Sequence, residues 1–261
     1  MSEIAWRLTV FIILFAVLAL CEARWPRRRR RQTRTLRWGI NSGLLLVDVL
    51  AQRLTLGAAA YLMAVHAQAQ GWGLLQLVEL PDGLAALLGF VLLDLAIYFQ
   101  HVLFHAVPLF WRIHRVHHTD LDLDLSSGFR FHPFEILLSL LYKVVLVAAL
   151  GVAPWVVLLF EATLSGASLF SHANLRLGTG PDRLLRWLVV TPDMHRVHHS
   201  VVPAETDSNF GFFLSCWDRL FGTYRERPGA GHEHMTIGLD GWQEPQRLTL
   251  ARLLRLPFAG K

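Results

Sequence analysis

The chain has 261 residues, a hydrophobic fraction of 53%, a charged fraction of only 17% and a mean hydropathy of +0.38. Those values exclude a soluble globular chain and a disordered one, because several apolar runs approach the length that crosses a bilayer. The net charge of +5 does not imply nucleic acid: its main cluster, Arg27 to Arg31, directly follows an apolar segment, and no nucleic-acid-binding module is visible. Cys21 and Cys216 permit neither a disulfide framework nor a thiolate cage, so a bound metal takes nitrogen and oxygen ligands. Lysine occurs only at Lys143 and Lys261, against twenty-three arginines, which points to a GC-rich coding sequence and a bacterial source.

The first predicted element is a spanning helix over residues 4–23, long enough for a hydrocarbon core of about 30 Å. The arginines that follow belong in the cytoplasm by the positive-inside rule, which puts the N-terminus outside. A second span is predicted from Gly39 to Val65, with Asp48 and Arg53 as interior charges that need partners on other helices. Residues 67–83, containing Gly71, Gly73 and Pro81, read as an external loop or a shallow re-entrant segment. A third span, Leu84 to Leu103, returns to the cytosolic face and ends on His101 and His105. Residues 106–133 are the first polar cytosolic stretch. Two apolar segments, 134–151 and 155–171, are separated by Gly151 and Pro154 and predict a helical hairpin that enters from the cytosolic face and ends there at His172. Past Leu177 no spanning run remains. Near the end, Arg247, Arg252 and Arg255 lie opposite Leu250, Leu253, Leu254 and Leu256, which predicts an interfacial helix. The expected fold is therefore an all-α integral membrane protein with about three spanning helices, a helical hairpin and a cytosolic helical cap carrying a histidine-rich di-metal site. It divides into N-terminal membrane helices and an external loop (1–83), a histidine-bearing catalytic domain (84–225) and a cytosolic tail (226–261).

Ten of the thirteen histidines fall between His101 and His199, and the span count puts all ten at one membrane face. One phrase occurs twice: His114-Arg115-Val116-His117-His118 and His195-Arg196-Val197-His198-His199. On a helical turn, positions i, i+3 and i+4 fall within an arc of roughly 100°, so each cluster can aim its rings one way and form one wall of a site. His101 and His105 share the i, i+4 spacing. With His172 they bring the candidate ligands to nine, too many for one tetrahedral zinc and suited to a pair of metals. Asp94 and Glu161 lie on the helix faces of His101 and His172, where each can orient a ring by accepting its other N–H, or instead neutralise Arg53 or Lys143. His132, before Pro133, can bond Glu135, cap the hairpin or touch metal. His66, His232 and His234 read as structural or solvated. A non-catalytic metal-binding or transport protein would place ligands at the bilayer midplane and show repeat symmetry, and a zinc hydrolase needs three ligands per metal; nine histidines at helix ends fit neither well.

These motifs, Asp94-x3-Tyr98-x2-His101-x3-His105, Trp111-x2-His114-x2-His117-His118, Arg130-x-His132-Pro133-x-Glu135, His172-Ala173-Asn174 and Pro192-x2-His195-x2-His198-His199, resemble those of the fatty acid hydroxylase and sterol desaturase superfamily. The likeness covers about residues 85–225 and includes the blocks Asp207 to Gly211 and Trp217 to Tyr224. It implies a membrane oxygenase with two Fe ions, for which zinc can substitute, and O2 as co-substrate. The implied reaction attacks an unactivated C–H bond of a sterol-like, fatty acyl or ether lipid, giving an alcohol or, by a second hydrogen abstraction, an alkene. The implied ligands are His101, His105, His114, His117, His118, His172, His195, His198 and His199, with His132, Asn174 and Asn209 nearby. No haem domain or GxGxxG fingerprint is visible, so the electrons come from a separate ferredoxin, cytochrome or flavoprotein reductase. Arg112, Arg115 and Arg196 interleave with the ligands and can dock an acidic donor or hold lipid phosphate. The aromatic block Phe210 to Tyr224 is expected to pack a cytosolic cap. The location implied is a bacterial inner membrane, with the histidine cluster and the C-terminus cytoplasmic.

Overall fold

Apolar length sets the architecture. In the computed structural model, which describes residues 3–259, the apolar runs become α1 (Glu3–Arg24), α2 (Arg34–Thr55), α3 (Ala59–Gln70) and α4 (Asp82–Ala106). After the short α5 (Pro108–His118) come α6 (Pro133–Leu150) and α7 (Pro154–His172), followed by the short α8 (Thr179–Leu185) and α9 (Pro192–His198). Among the described residues, four segments are long and apolar enough to span: Arg34–Gln76, Asp82–Ala106, Pro133–Leu150 and Pro154–His172. The 22 residues of α1 add about 33 Å of helix. Outward-facing Ile12, Leu46, Leu50, Leu87, Leu141 and Val145 are exposed, a pattern that lipid covers and water does not. The all-α membrane fold is borne out; among the described residues only isolated β-bridges occur, and no strand.

The hairpin forms where Pro133 and Pro154 sit in first turns, positions whose N–H groups have no helical partner in any case. Gly151 caps α6 in the left-handed region at φ +70°. The segment after α3 folds against this turn: a Cβ on Gly73, itself at φ +101°, would lie 2.1 Å from the Gly151 nitrogen, and Gln76 Nε2 donates to the Gly151 carbonyl at 2.9 Å. Residues 67–83 thus seal the hairpin tip.

Two expectations need correcting. The second span is not continuous, because the chain turns at Gly57 (φ +52°) and α3 starts anew to pack on α6 and α7. The leucine stripe near the C-terminus does not lie on lipid: Leu253 and Leu256 are buried with Leu44, Val116 and Leu121, so the helix Leu250–Arg255 covers the junction of α2 with α5. That apolar surface already existed on the protein, and burying the stripe there removes it from both water and lipid.

The polar stretch after α5 is not solvated either, since residues 119–130 are all buried. Arg37 of α2 is the reason. Its guanidinium grips Asp120 with two bonds, of 2.9 and 2.7 Å, and also reaches Asp124 and the Asp122 carbonyl. Arg130 then bonds Asn41 and Thr119, each at 2.7 Å. Burial favours protonation of Asp120, but the charges of Arg37 and Arg130 win and hold it below the usual carboxylate range. Arg130 in turn is pushed down to about 10 by burial, with Asp120 opposing.

Removing one member of such a buried pair strands the others, at a cost of about 3–5 kcal/mol. Arg37→Leu should therefore melt the detergent-purified protein at a clearly lower temperature, whereas Arg53→Leu, at an exposed position, should not. Equal melting of the two variants would contradict this account of the loop.

Candidate metal centre

The site begins with helix phase. On α4, His101 and His105 are one turn apart and face the cap. On α5, His114 and His118 repeat that spacing, with His117 turned by about 100° from His118. The short α9 starts at Pro192, capped by the Thr191 hydroxyl accepting from Met194 N, and carries His195 and His198, with His199 as its C-cap. His172 closes α7.

All nine histidines converge, but not as two walls. They sort into a group of five, His101, His105, His114, His118 and His198, and a group of four, His117, His172, His195 and His199. Within each group, one ligand atom per residue lies within 4.8 Å of every other. Two nitrogens opposite each other on one ion at about 2.1 Å would be about 4.2 Å apart, so each group has the spread of a single coordination shell. Each triplet is split. Its i and i+4 members serve one group and its i+3 member crosses to the other, since 100° of helix separates neighbouring residues. The two groups are interlocked by α5 and α9 together.

Hydrogen bonds fix the rings. Nδ1 of His101 donates to the Phe210 carbonyl (2.8 Å), that of His198 to Ser208 (2.9 Å), that of His172 to Ser168 (2.7 Å) and that of His117 to Arg130 (3.2 Å). His114 Nδ1 meets Glu135 Oε1 at 2.7 Å, and His105 Nδ1 meets Asp207 Oδ1 at 3.1 Å. Holding the proton on Nδ1 leaves Nε2 as a lone-pair donor. The Nε2 atoms of His101, His105 and His198 are buried without a partner. Those of His117 and His172, of His172 and His195, and of His195 and His199 approach to 3.0, 3.0 and 3.2 Å, the spacing of neighbouring ligands on one ion. Burial first, and neighbouring imidazoles second, push His117, His118, His195 and His199 well below the ordinary histidine value; His198 moves the same way. The rings are therefore neutral and ligand-ready at neutral pH.

The other expected site residues lie elsewhere. Asp94 does not orient His101, whose Nδ1 is taken by Phe210; it accepts from Trp217 Nε1 at 2.8 Å and Leu214 N at 3.2 Å, tying α4 to the cap. Glu161 pairs with Lys143 at 2.6 Å, and the Ser168 carbonyl orients His172 in its place. His132 caps α6 by accepting from Phe134 N, and its Nε2 donates to the Leu254 carbonyl. Asn174 holds Arg28, bonding its N–H and carbonyl at 2.9 Å each. Asn209, at φ +51°, bonds Met194 and Arg225 across the cap. Among the described residues Asp48 has no ion partner, and Arg53 is exposed. The interleaving arginines are also engaged. Arg112 and Arg115 donate to carbonyls of Pro257 and Leu256, and buried Arg196 pairs with Asp193. His232, expected in solvent, sits 3.7 Å from Asp193.

Sequence reasoning missed the residues that orient the rings. Glu135 stood in a quoted motif but as a partner for His132, and main-chain acceptors leave no trace in side-chain pattern. The aromatic block does more than pack: Asp218 accepts from Phe210 N (2.7 Å) and Gly211 N (2.9 Å), fixing the Phe210 carbonyl against His101. A Cβ on Gly211 would lie 2.7 Å from Asp218 Oδ2, so the turn needs glycine. The arginine run after α1, expected as a topology anchor, also straps this cap: Arg27 pairs with Asp193 at 3.1 Å, and Arg31 N donates to Asp122 at 2.8 Å.

From the centre a cavity of about 350 Å³ runs down between the membrane helices. His101 and His114 of one group and His117 and His195 of the other line its head; Ile97, Phe129, Leu140 and Leu169 line its body.

The model of the fatty acid hydroxylase family matches residues 86–223, more than half of the chain. The chain belongs to this family. It is similar to the ornithine lipid hydroxylase OlsE of Rhizobium tropici, 30% identical over 242 residues that cover 87% of this chain and 69% of that protein. It is also similar to alkylglycerol monooxygenase of Xenopus tropicalis, 31% identical over 158 residues (59% of this chain, 34% of that one). Cholesterol 25-hydroxylase of Rattus norvegicus is 28% identical over 141 residues, 53% of this chain and 46% of that one. No solved structure matches. Membership in this fatty acid hydroxylase family makes the chain a lipid-oxidising oxidoreductase with histidine clusters able to bind metal.

Two outcomes follow for the purified protein. Because His118 and His117 belong to different groups, His118→Ala and His117→Ala should each lose about one of two metal ions by elemental analysis while His132→Ala keeps both; full metal content in both ligand variants, or loss of all metal from either, would contradict the grouping. The metal-free protein should also lose stability on acidification. Its buried histidines have folded-state values below the unfolded value of about 6.5, so the unfolded chain takes up protons first as pH falls through that value. Melting temperatures of the metal-free protein that stay flat from neutral pH down to about 5 would contradict the burial of neutral rings.

Proposed function

We propose that the nine histidines hold two iron ions which, with O2 and two electrons from a separate ferredoxin, cytochrome or flavoprotein reductase, oxidise an unactivated C–H bond of a membrane lipid. The observation that carries this reading is the cavity whose head is lined by histidines of both groups and whose body lies between spanning helices. A lipid entering from the bilayer reaches the centre through a cavity whose body includes Ile97, Phe129, Leu140 and Leu169.

The donor set of nitrogens without thiolate suits iron, zinc, copper or nickel. Zinc has no redox chemistry, so membership in a family of oxidoreductases favours iron. When bound, iron would supply O2 activation for C–H oxidation, with one oxygen atom entering the lipid and the other leaving as water.

The chain's own residues hold, orient and exclude. His101, His105, His114, His118 and His198 would hold one ion, and His117, His172, His195 and His199 the other. Glu135, Asp207 and the carbonyls of Phe210, Ser208, Arg130 and Ser168 keep six rings aimed. Phe131, stacked on His117 at 4.6 Å, and Trp111, 4.9 Å from His105, wall the centre from water. Dry walls strengthen each polar contact inside and protect reactive species from quenching. The arginine run lies at the same end of the molecule as the histidines, which supports a cytoplasmic centre and C-terminus in a bacterial inner membrane. The OlsE relative, aligned over most of the chain, supports a polar-headed lipid as substrate over a sterol.

Protein reconstituted with ferrous iron, a chemical reductant and a bacterial lipid extract should consume O2 and yield lipid carrying one added oxygen or one new double bond. The same preparation releasing hydrolysed lipid without O2 uptake would overturn the oxygenase reading.

A further inference from the structure

The cavity that leads to the centre is not uniformly apolar. Asp48 of α2 lines it at 5% exposure, and its Oδ1 has no hydrogen-bond partner. Glu135 of α6 lines it at 3% exposure; Oε1 is spent on His114, but Oε2 also has no partner. The neighbouring polar groups are satisfied within the protein: Lys143 pairs with Glu161 at 2.6 Å, and Gln100 Nε2 donates to Ser139 Oγ at 2.7 Å. Asp48 and Glu135 line the same cavity, and Lys143 on its wall is committed to Glu161.

A carboxylate only accepts hydrogen bonds. An alkyl chain filling this space would leave both orphan oxygens unsatisfied, at the cost of burying a polar group without a partner. An anionic headgroup would bring those oxygens no hydrogen-bond donor. A compact ammonium satisfies both, since it carries three donors and a positive charge. We infer that Asp48, together with the free oxygen of Glu135, forms a subsite for the protonated amine of an amphiphilic substrate, placed in the cavity that leads to the histidine centre. The inference rests on the lipid-oxidation reading for the identity of the cavity as a substrate site. Asp48 is on a helix outside the region matched by the family model.

The test is binding, which needs no turnover. The metal-loaded, full-length protein in phosphatidylcholine nanodiscs is titrated calorimetrically with dodecylamine and with dodecanol, empty nanodiscs supplying the partition blank. The wild type should bind the amine at least about tenfold more tightly than the alcohol, the discrimination expected of a hydrogen bond to a charged group. Asp48→Asn should remove that preference while keeping metal content and dodecanol affinity, and Asp48→Glu should retain part of it. Equal affinity of the wild type for amine and alcohol overturns the inference with no variant needed. So does a preference that survives Asp48→Asn, or a variant that loses metal and weakens both amphiphiles alike, which would make Asp48 a counter-charge to the centre. Failure of the oxygenase reading is seen separately, as absence of any O2-dependent lipid product, and leaves the binding result standing.

Discussion

Nine imidazoles packed into one buried space can coexist only if they are neutral and if each knows which nitrogen carries its proton. Any protonated ring would face its neighbours' charges in a medium that screens little. For six of the nine rings the fold meets this constraint by setting acceptors around the cluster. Six Nδ1 atoms meet four main-chain carbonyls and two carboxylates, and the Nε2 atoms are left to the interior. With those protons outside, the lone pairs point inward, where a cation would bind.

The acceptors must themselves be held still, and each is tied to a different part of the chain. The Arg130 carbonyl that orients His117 belongs to the buried loop clamped by Arg37 from α2. The Ser168 hydroxyl bonds the Gly128 carbonyl at 2.6 Å, joining the same loop to α7 and to His172. Asp218 fixes Phe210, and Asp94 fixes Trp217. Glu22, at the end of α1, accepts from both Leu125 N and Asn174 N at 2.7 Å. The membrane helices and the cap are thus one framework, and buried ion pairs of low intrinsic value for stability serve to specify ring orientation.

Much of this was legible in the sequence because two periods dominate it. Apolar length marked α1, α4, α6 and α7, and the i, i+3 and i, i+4 spacings picked out eight of the nine histidines that the structure gathers, with His172 added from a helix end. The break at Gly57 was hidden because apolar residues continue across it, and hydropathy does not see a turn that neighbouring helices cover. The division of each triplet was present in the arithmetic: an arc of 100° is narrow enough to reach one site and wide enough to serve two ions. The choice depends on where α4 and α7 place His101, His105 and His172, which is tertiary information. Asp94 and Glu161 show the converse limit. Their helical phase was read correctly, but each bonds a partner on another element: Trp217 for Asp94 and, for Glu161, Lys143, the charge pairing expected as its alternative.

The cavity reaches the centre, with apolar side chains from α4, α6 and α7 below and imidazoles of both groups above. Everything in the functional reading depends on those imidazoles holding two ions, one in each group. The direct measurement is anomalous diffraction at the iron edge from crystals of the iron-loaded protein. The account predicts two resolved peaks, one enclosed by His101, His105, His114, His118 and His198 and the other by His117, His172, His195 and His199. A single peak shared by the nine residues, or iron bound by His132 or His232 in place of either group, would contradict it.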